Sequence, residues 1–175
     1  MKGIQYYLFV FLTSCAFSSH AGCLDAEQAK ALYLRAKGQT ADDTVHLLKQ
    51  SAQLCENYAV YYKLGVNQLK LQQFAPSLES FKNAQRFVEF GSVQESTLLG
   101  RMAIAYFKLN DLSNALAAID VAHEVYQKKQ EDAPKWLVAV RQDIDTALSQ
   151  TLYKSEKINE TLLSMKSFGL RVLFL

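Results

Sequence analysis

Three cysteines (Cys15, Cys23, Cys55) and three histidines (His20, His46, His123) are the residues of this chain best suited to covalent or metal chemistry. A thiolate is a nucleophile, and thiolates and imidazoles bind zinc, but each task needs partners at close range. Neither Cys23 nor Cys55 has a second Cys or His at metal-site spacing. His46 and His123 fall on different expected helices, share no Cys or carboxylate motif, and read as surface or interface residues. Asp42-Asp43 opens an expected helix, where acids suit the positive end of the dipole. Asp143 and Asp145 lie two apart on a helix, on opposite sides, so they form no carboxylate dyad. Lys128-Lys129 suits a helix C-terminus. No serine stands in a GxSxG context, and no glycine-rich loop offers amides to a phosphate. The expectation is a protein that is not an enzyme, with no catalytic residues, no metal and no cofactor.

The cysteines gain meaning from the N-terminus. Met1-Lys2 is basic, and Ile4 to Phe17 is apolar apart from Gln5 and Thr13-Ser14. Ser19-His20-Ala21 is a small-x-small cleavage signal. Residues 1–21 thus read as a secretory signal peptide, and the chain as exported and periplasmic. The run falls short of the ~20 apolar residues of a spanning helix, with an uncleaved anchor as the other reading. Leu12-Thr13-Ser14-Cys15 also looks like a lipobox. Its use would put a lipid on Cys15 and make an outer-membrane lipoprotein, the one route to a membrane partner. His20-Ala21-Gly22-Cys23 is a poorer version.

Cleavage after Ala21 leaves Cys23 and Cys55 as a pair in an oxidising compartment, where bonding is expected. Cys23 precedes the first expected helix and Cys55 ends the second, so an antiparallel hairpin brings them to one end. The alternative is two free thiols, with Cys55 as a small buried apolar residue.

At 175 residues there is room for one domain. Half of the residues are hydrophobic, 21% are charged and the net charge is +2, so no polybasic field argues for nucleic acid. Two prolines and seven glycines are too few for the turns of an all-β protein. Helical periodicity places a first helix at Asp25–Lys37, with Ala29, Leu32, Tyr33 and Ala36 on one face, and Gly38 as its stop. Thr40 caps a second, Ala41–Cys55, which buries Val45, Leu48 and Ala52. Asn57 caps a third, with Tyr61, Leu64, Gly65 and Leu69 inward. Pro76 falls in the first turn of a fourth, which runs to Gly91. After a longer connection, 91–95, a further pair turns at Asn110-Asp111. A seventh helix starts at 132–134 and carries Trp136, Val140, Ile144 and Ala147 on one stripe, with Trp136 as a packing residue. Beyond 150 the periodicity weakens, leaving at most one more short helix with Ile158, Leu162 and Met165. The tail ends in an apolar run, 168–175.

Tyr61-x-x-Leu64-Gly65, Phe74 and Ser77-x-x-x-Phe81-x-x-Ala84 together resemble a tetratricopeptide (TPR) repeat. Gln68 departs from the usual Tyr and Ser77 from the usual Ala. A second copy follows at an offset of 38, in which Ala103 matches Gly65, and Ala115, Ile119 and Ala122 match the second helix. The resemblance implies an all-α fold of antiparallel helical hairpins stacked as a short TPR solenoid over 22–150, with a C-terminal capping helix and a tail at 151–175. The order of parts is similar to envelope proteins whose TPR region precedes an OmpA-like peptidoglycan-binding domain, so the chain is expected to be a truncated form. It also implies a partner, an envelope protein or peptide, held in the groove lined by the first helix of each repeat. By position these groove residues are Tyr62, Val66, Leu69 and Lys70, then Gly100, Ile104, Phe107 and Lys108. Lys70 and Lys108 occupy equivalent places and could hold a ligand carboxylate, with two ordinary solvated lysines as the other reading. An anchored structural component of the envelope is the alternative function.

Overall fold

A computed structural model describes residues 23–167, with side chains through Ser164. Residues 1–22, with the expected signal peptide and Cys15, and the apolar run at 168–175 lie outside the described residues. The described chain is all-α. Its helices are α1 Ala26–Arg35, α2 Ala41–Leu54, α3 Tyr58–Lys70, α4 Phe74–Gln85, α5 Val93–Lys108, α6 Leu112–Lys129 and α7 Lys135–Ser167. None of them is long and apolar enough to cross a membrane.

Short polar side chains start most of these helices. Asp25, Thr40, Asn57, Ser92 and Asp111 each accept from the backbone N–H three residues on, which satisfies a donor that the first turn leaves open. α4 has no side-chain cap, and Pro76 in its first turn removes one open donor. The tight turns after α3 and α5 share one geometry. Gln72 and Asn110, 38 apart, have φ of 57° and 60°. The next N–H reaches back to close the helix, Gln73 N to Gln68 O and Asp111 N to Tyr106 O, both at 2.9 Å. A repeated period in the sequence therefore recurs as a repeated backbone device.

Each helix packs against the next, and the odd-numbered helices also meet: α3 touches α5, and α5 touches α7. Within the hairpins the close approaches are made by small residues. A Cβ on Gly65 would stand 2.5 Å from the Phe81 ring, so α3 and α4 can meet there only without one. Phe81, Ala84, Ala103, Ala115, Ile119 and Ala122 are fully buried. Hydroxyls join neighbouring helices across these contacts. Ser51 donates to Ala29 O at 2.8 Å, Ser77 to Gly65 O at 2.9 Å and Ser96 to Ala122 O at 2.7 Å. All three serines have no exposed surface, and each replaces apolar packing with a directed bond between helices.

The two departures from the TPR pattern thus have structural roles. Ser77 ties α4 to α3, and buried Gln68 accepts from Ser80 Oγ at 2.6 Å. The two serines are expected to respond differently to alanine. Ser80→Ala strands the Gln68 oxygen and costs about 1–3 kcal/mol. Ser77→Ala removes only an extra donor to a carbonyl and costs less than about 1 kcal/mol. Urea unfolding of both variants checks this ordering.

Three boundaries differ from the sequence reading. α1 ends at Arg35, although Gly38 does reverse the chain at φ 78°. α4 ends at Gln85 and not at Gly91, and turns fill the interval. The largest correction concerns α7, a single helix of 33 residues. The expected break near 150 and the separate short helix do not occur. Residues 151–167 contain no Gly or Pro to stop the helix, and weak amphipathicity reflects only that nothing packs there. Every described side chain from Ser149 on is exposed, including Leu152, Ile158 and Leu163.

Candidate binding groove

The odd helices share one face of the array. On α3, Tyr62, Val66 and Leu69 are half-buried and packed against the core, and Tyr62 lies 6.1 Å from the Phe81 ring centre. On α5, Ile104 and Phe107 are half-buried, and Lys108 Nζ sits 5.7 Å from the Phe107 ring centre. Lys70 and Lys108 are exposed. These seven expected residues remain accessible. Gly100 does not: it is buried, and a Cβ there would stand 2.5 Å from Leu137 and 2.7 Å from Trp136. It stands 38 residues after Tyr62, as expected of a groove position, but α7 covers it. Gly100 therefore seats the last helix and is no part of a groove surface.

Two cations missed by the sequence reading lie on this face. Lys63 Nζ stands 4.7 Å from the Tyr33 ring centre on α1, and the Arg101 guanidinium 4.6 Å from the Trp136 ring centre on α7. They too are 38 apart. Their signal was available: Lys63–Val66–Lys70 and Arg101–Ile104–Lys108 have the same i, i+3, i+7 spacing.

The electrostatics are one-sided. The 13 residues of α3 include no acid. The only acid of α5, Glu95, is buried and accepts from Gly91 N. Among the described residues, Lys37, Lys63, Lys70, Arg101 and Lys108 have no ion-pair partner. Burial, and then the charges of Lys37 and Lys70, push the Lys63 pKa down. Arg101 Nε is buried without a hydrogen-bond partner.

At the other edge of the array, Cys23 and Cys55 form a disulfide, and Leu24 N bonds to Leu54 O at 2.6 Å. An open cleft of about 400 Å³ beside it is lined by Cys23, Leu24, Ala52, Gln53, Glu56 and Tyr61. Tyr61 donates to Glu56 at 2.7 Å, and Arg86 pairs with Glu56 at 3.5 Å. Burial, then the hydrogen bond to Glu56 and its charge, raise the Tyr61 pKa to about 12. Burial and Tyr62 raise that of Tyr58, also to about 12. A raised folded-state pKa favours the neutral phenol. The resulting stability is whole below pH 10 and is lost as pH rises from 10 through 12. A falling melting temperature across that window, with tyrosinate absorbance rising late, is the expected result.

Several other polar groups pair with one another, whereas His123 Nε2 is buried without a hydrogen-bond partner. Arg141 on α7 binds Asp145 and Asp120 of α6, and Lys128 binds Glu124. His46 pairs with Gln50 at the surface. Among the described residues no group of three or more His, Cys, Asp or Glu could hold a metal. No protein-family model matches the chain, and no curated protein does.

Proposed function

We propose that this chain is an exported TPR-type scaffold that binds an envelope protein or peptide along the face of α3 and α5. The observation that carries the reading is the recurrence, 38 residues on, of an apolar floor flanked by a cation: Val66, Leu69 and Lys70, then Ile104, Phe107 and Lys108. Two successive helices that offer the same residues in the same register suit an elongated ligand crossing both. The rigid hairpins beneath, fixed by Phe81 and the buried serines, keep that surface preformed. The signal-peptide reading of residues 1–21 and the disulfide at Cys23–Cys55 support export.

Capture from an envelope extract tests the assignment. Lys70→Glu together with Lys108→Glu is expected to abolish recovery of any partner that the unmodified protein retains. The control, Lys154→Glu with Lys157→Glu on exposed α7, is expected to leave recovery unchanged. Equal recovery by both variants removes the groove assignment. Intact mass of the exported protein tests processing, because a start at Gly22 is lighter than a diacylated start at Cys15.

A further inference from the structure

We infer that the groove takes an acidic peptide segment, whose side-chain carboxylates are received by Lys63 and Arg101. This rests on the groove reading above and adds the chemistry of its ligand. Both cations are held from the side. Each lies over an aromatic ring of a flanking odd helix, Tyr33 for Lys63 and Trp136 for Arg101. A ring face attracts the cation and limits its motion, but leaves its N–H donors without acceptors. Neither has an ion-pair partner among the described residues. Lys70 and Lys108 add exposed positive charge two turns along the same helices.

A protein normally relieves such crowding by interspersing acids. Here α3 has none, and the one acid of α5 is committed to Gly91. The missing negative charge is best supplied by a ligand. Lys63 and Arg101 stand in equal places on successive repeats, so they present two separate points to one chain and not a cluster around a terminus. That arrangement selects acidic side chains spaced along a segment. The apolar floor between them, with Val66 and Ile104, favours a peptide carrying apolar residues among its acids over a bare polyanion.

The test uses the chain from Gly22 with its disulfide intact. The probe is a labelled 14-residue peptide of alternating Asp/Glu and Leu/Ala, acetylated and amidated so that only side chains carry charge. Its Asn/Gln counterpart and a 14-nucleotide single-stranded DNA serve as comparisons, by fluorescence anisotropy at 50 and 300 mM NaCl. The acidic peptide is expected to bind at least about tenfold tighter than the amide peptide and to weaken with salt. Lys63→Met with Arg101→Met is expected to remove that preference. Lys63→Arg with Arg101→Lys keeps both charges and is expected to retain it, which separates charge from fold. No binding of the acidic peptide up to 1 mM overturns the inference, as does equal binding of the two peptides or tighter binding of DNA. If the inference fails while Lys70→Glu/Lys108→Glu still abolishes partner capture, the groove stands and only its ligand class is wrong. If capture also survives, the groove itself is lost.

Discussion

Phe81→Ala lowers the unfolding free energy by about 3–5 kcal/mol. The ring has no exposed surface, lies against Gly65 of α3 and sits 6.1 Å from the Tyr62 ring centre. Gly65 cannot fill the space, because it has no side chain to move. Gly65 and Tyr62 beside the ring lie on α3, which the Ser77–Gly65 bond holds to α4, so collapse is limited and most of the cavity remains. A domain of this size has only about 5–15 kcal/mol of stability in total, so the variant sits near its unfolding threshold. Urea unfolding followed by helical circular dichroism measures the loss. A double-mutant cycle then identifies its source. Gly65→Ala alone overpacks against the ring and costs about 1–3 kcal/mol. In a Phe81→Leu background the added methyl has room, and its cost is expected to shrink or reverse. Additive costs in that cycle would mean that Gly65 and Phe81 do not share the contact described.

Removing the disulfide, as Cys23→Ser with Cys55→Ser, is expected to cost about 3–4 kcal/mol on the chain-entropy account of a loop of this length. The bridge spans a sequence separation of 32. The loss should be local in its first effects. Within α1 only Ala29 is buried, Leu32 and Tyr33 are half-buried, and Ala36 is buried just beyond the helix end. The hydrogen bonds between residues 24–36 and α2 are Ser51 to Ala29 O, Thr44 to Ala36 O, and Leu24 N and Asp25 N to Leu54 O. Without the covalent link, residues 24–37 have little apolar burial to offset their conformational entropy. Amide exchange should therefore become fast across α1 while α3 to α6 stay protected. Uniform loss of protection would show that the bridge acts on the whole array. Unchanged protection throughout would show that α1 is held by its packing alone.

These two predictions rest on residues whose roles were visible in the sequence. Leu64-Gly65, Phe81 and Ala84 announce a tight hairpin because their sizes matter at fixed spacing. Asp25, Thr40 and Asn57 announce helix starts because few residues can accept from the first turn. What the sequence hid depends on distant parts of the chain. Gly100 looked like a groove residue because its place in the repeat matches that of Tyr62, and only the position of Trp136 and Leu137 shows that α7 covers it. Lys63 and Arg101 were not singled out at all, because their contacts are with rings on other helices. Ser77 showed only as a departure from the usual Ala, and Ser51 and Ser96 gave no signal, because a donor to a neighbouring helix leaves no periodic mark. The length of α7 escaped for the opposite reason: helical pattern marks packing, and a helix with no neighbour shows none.

The unsupported part of α7 makes the molecule a lever. Residues 149–167 extend about 28 Å at the helical rise of ~1.5 Å per residue. The fulcrum is where Trp136 and Leu137 press on Gly100, with Arg141 tied to α6 farther along. The tip lies about 45 Å from the contact at Gly100, so a tilt of about 2° there displaces it by about 1.5 Å. The same Trp136 is the ring over which Arg101 rests. A tilt of α7 about the Gly100 contact would carry the Trp136 ring and, with it, the seat of the Arg101 guanidinium.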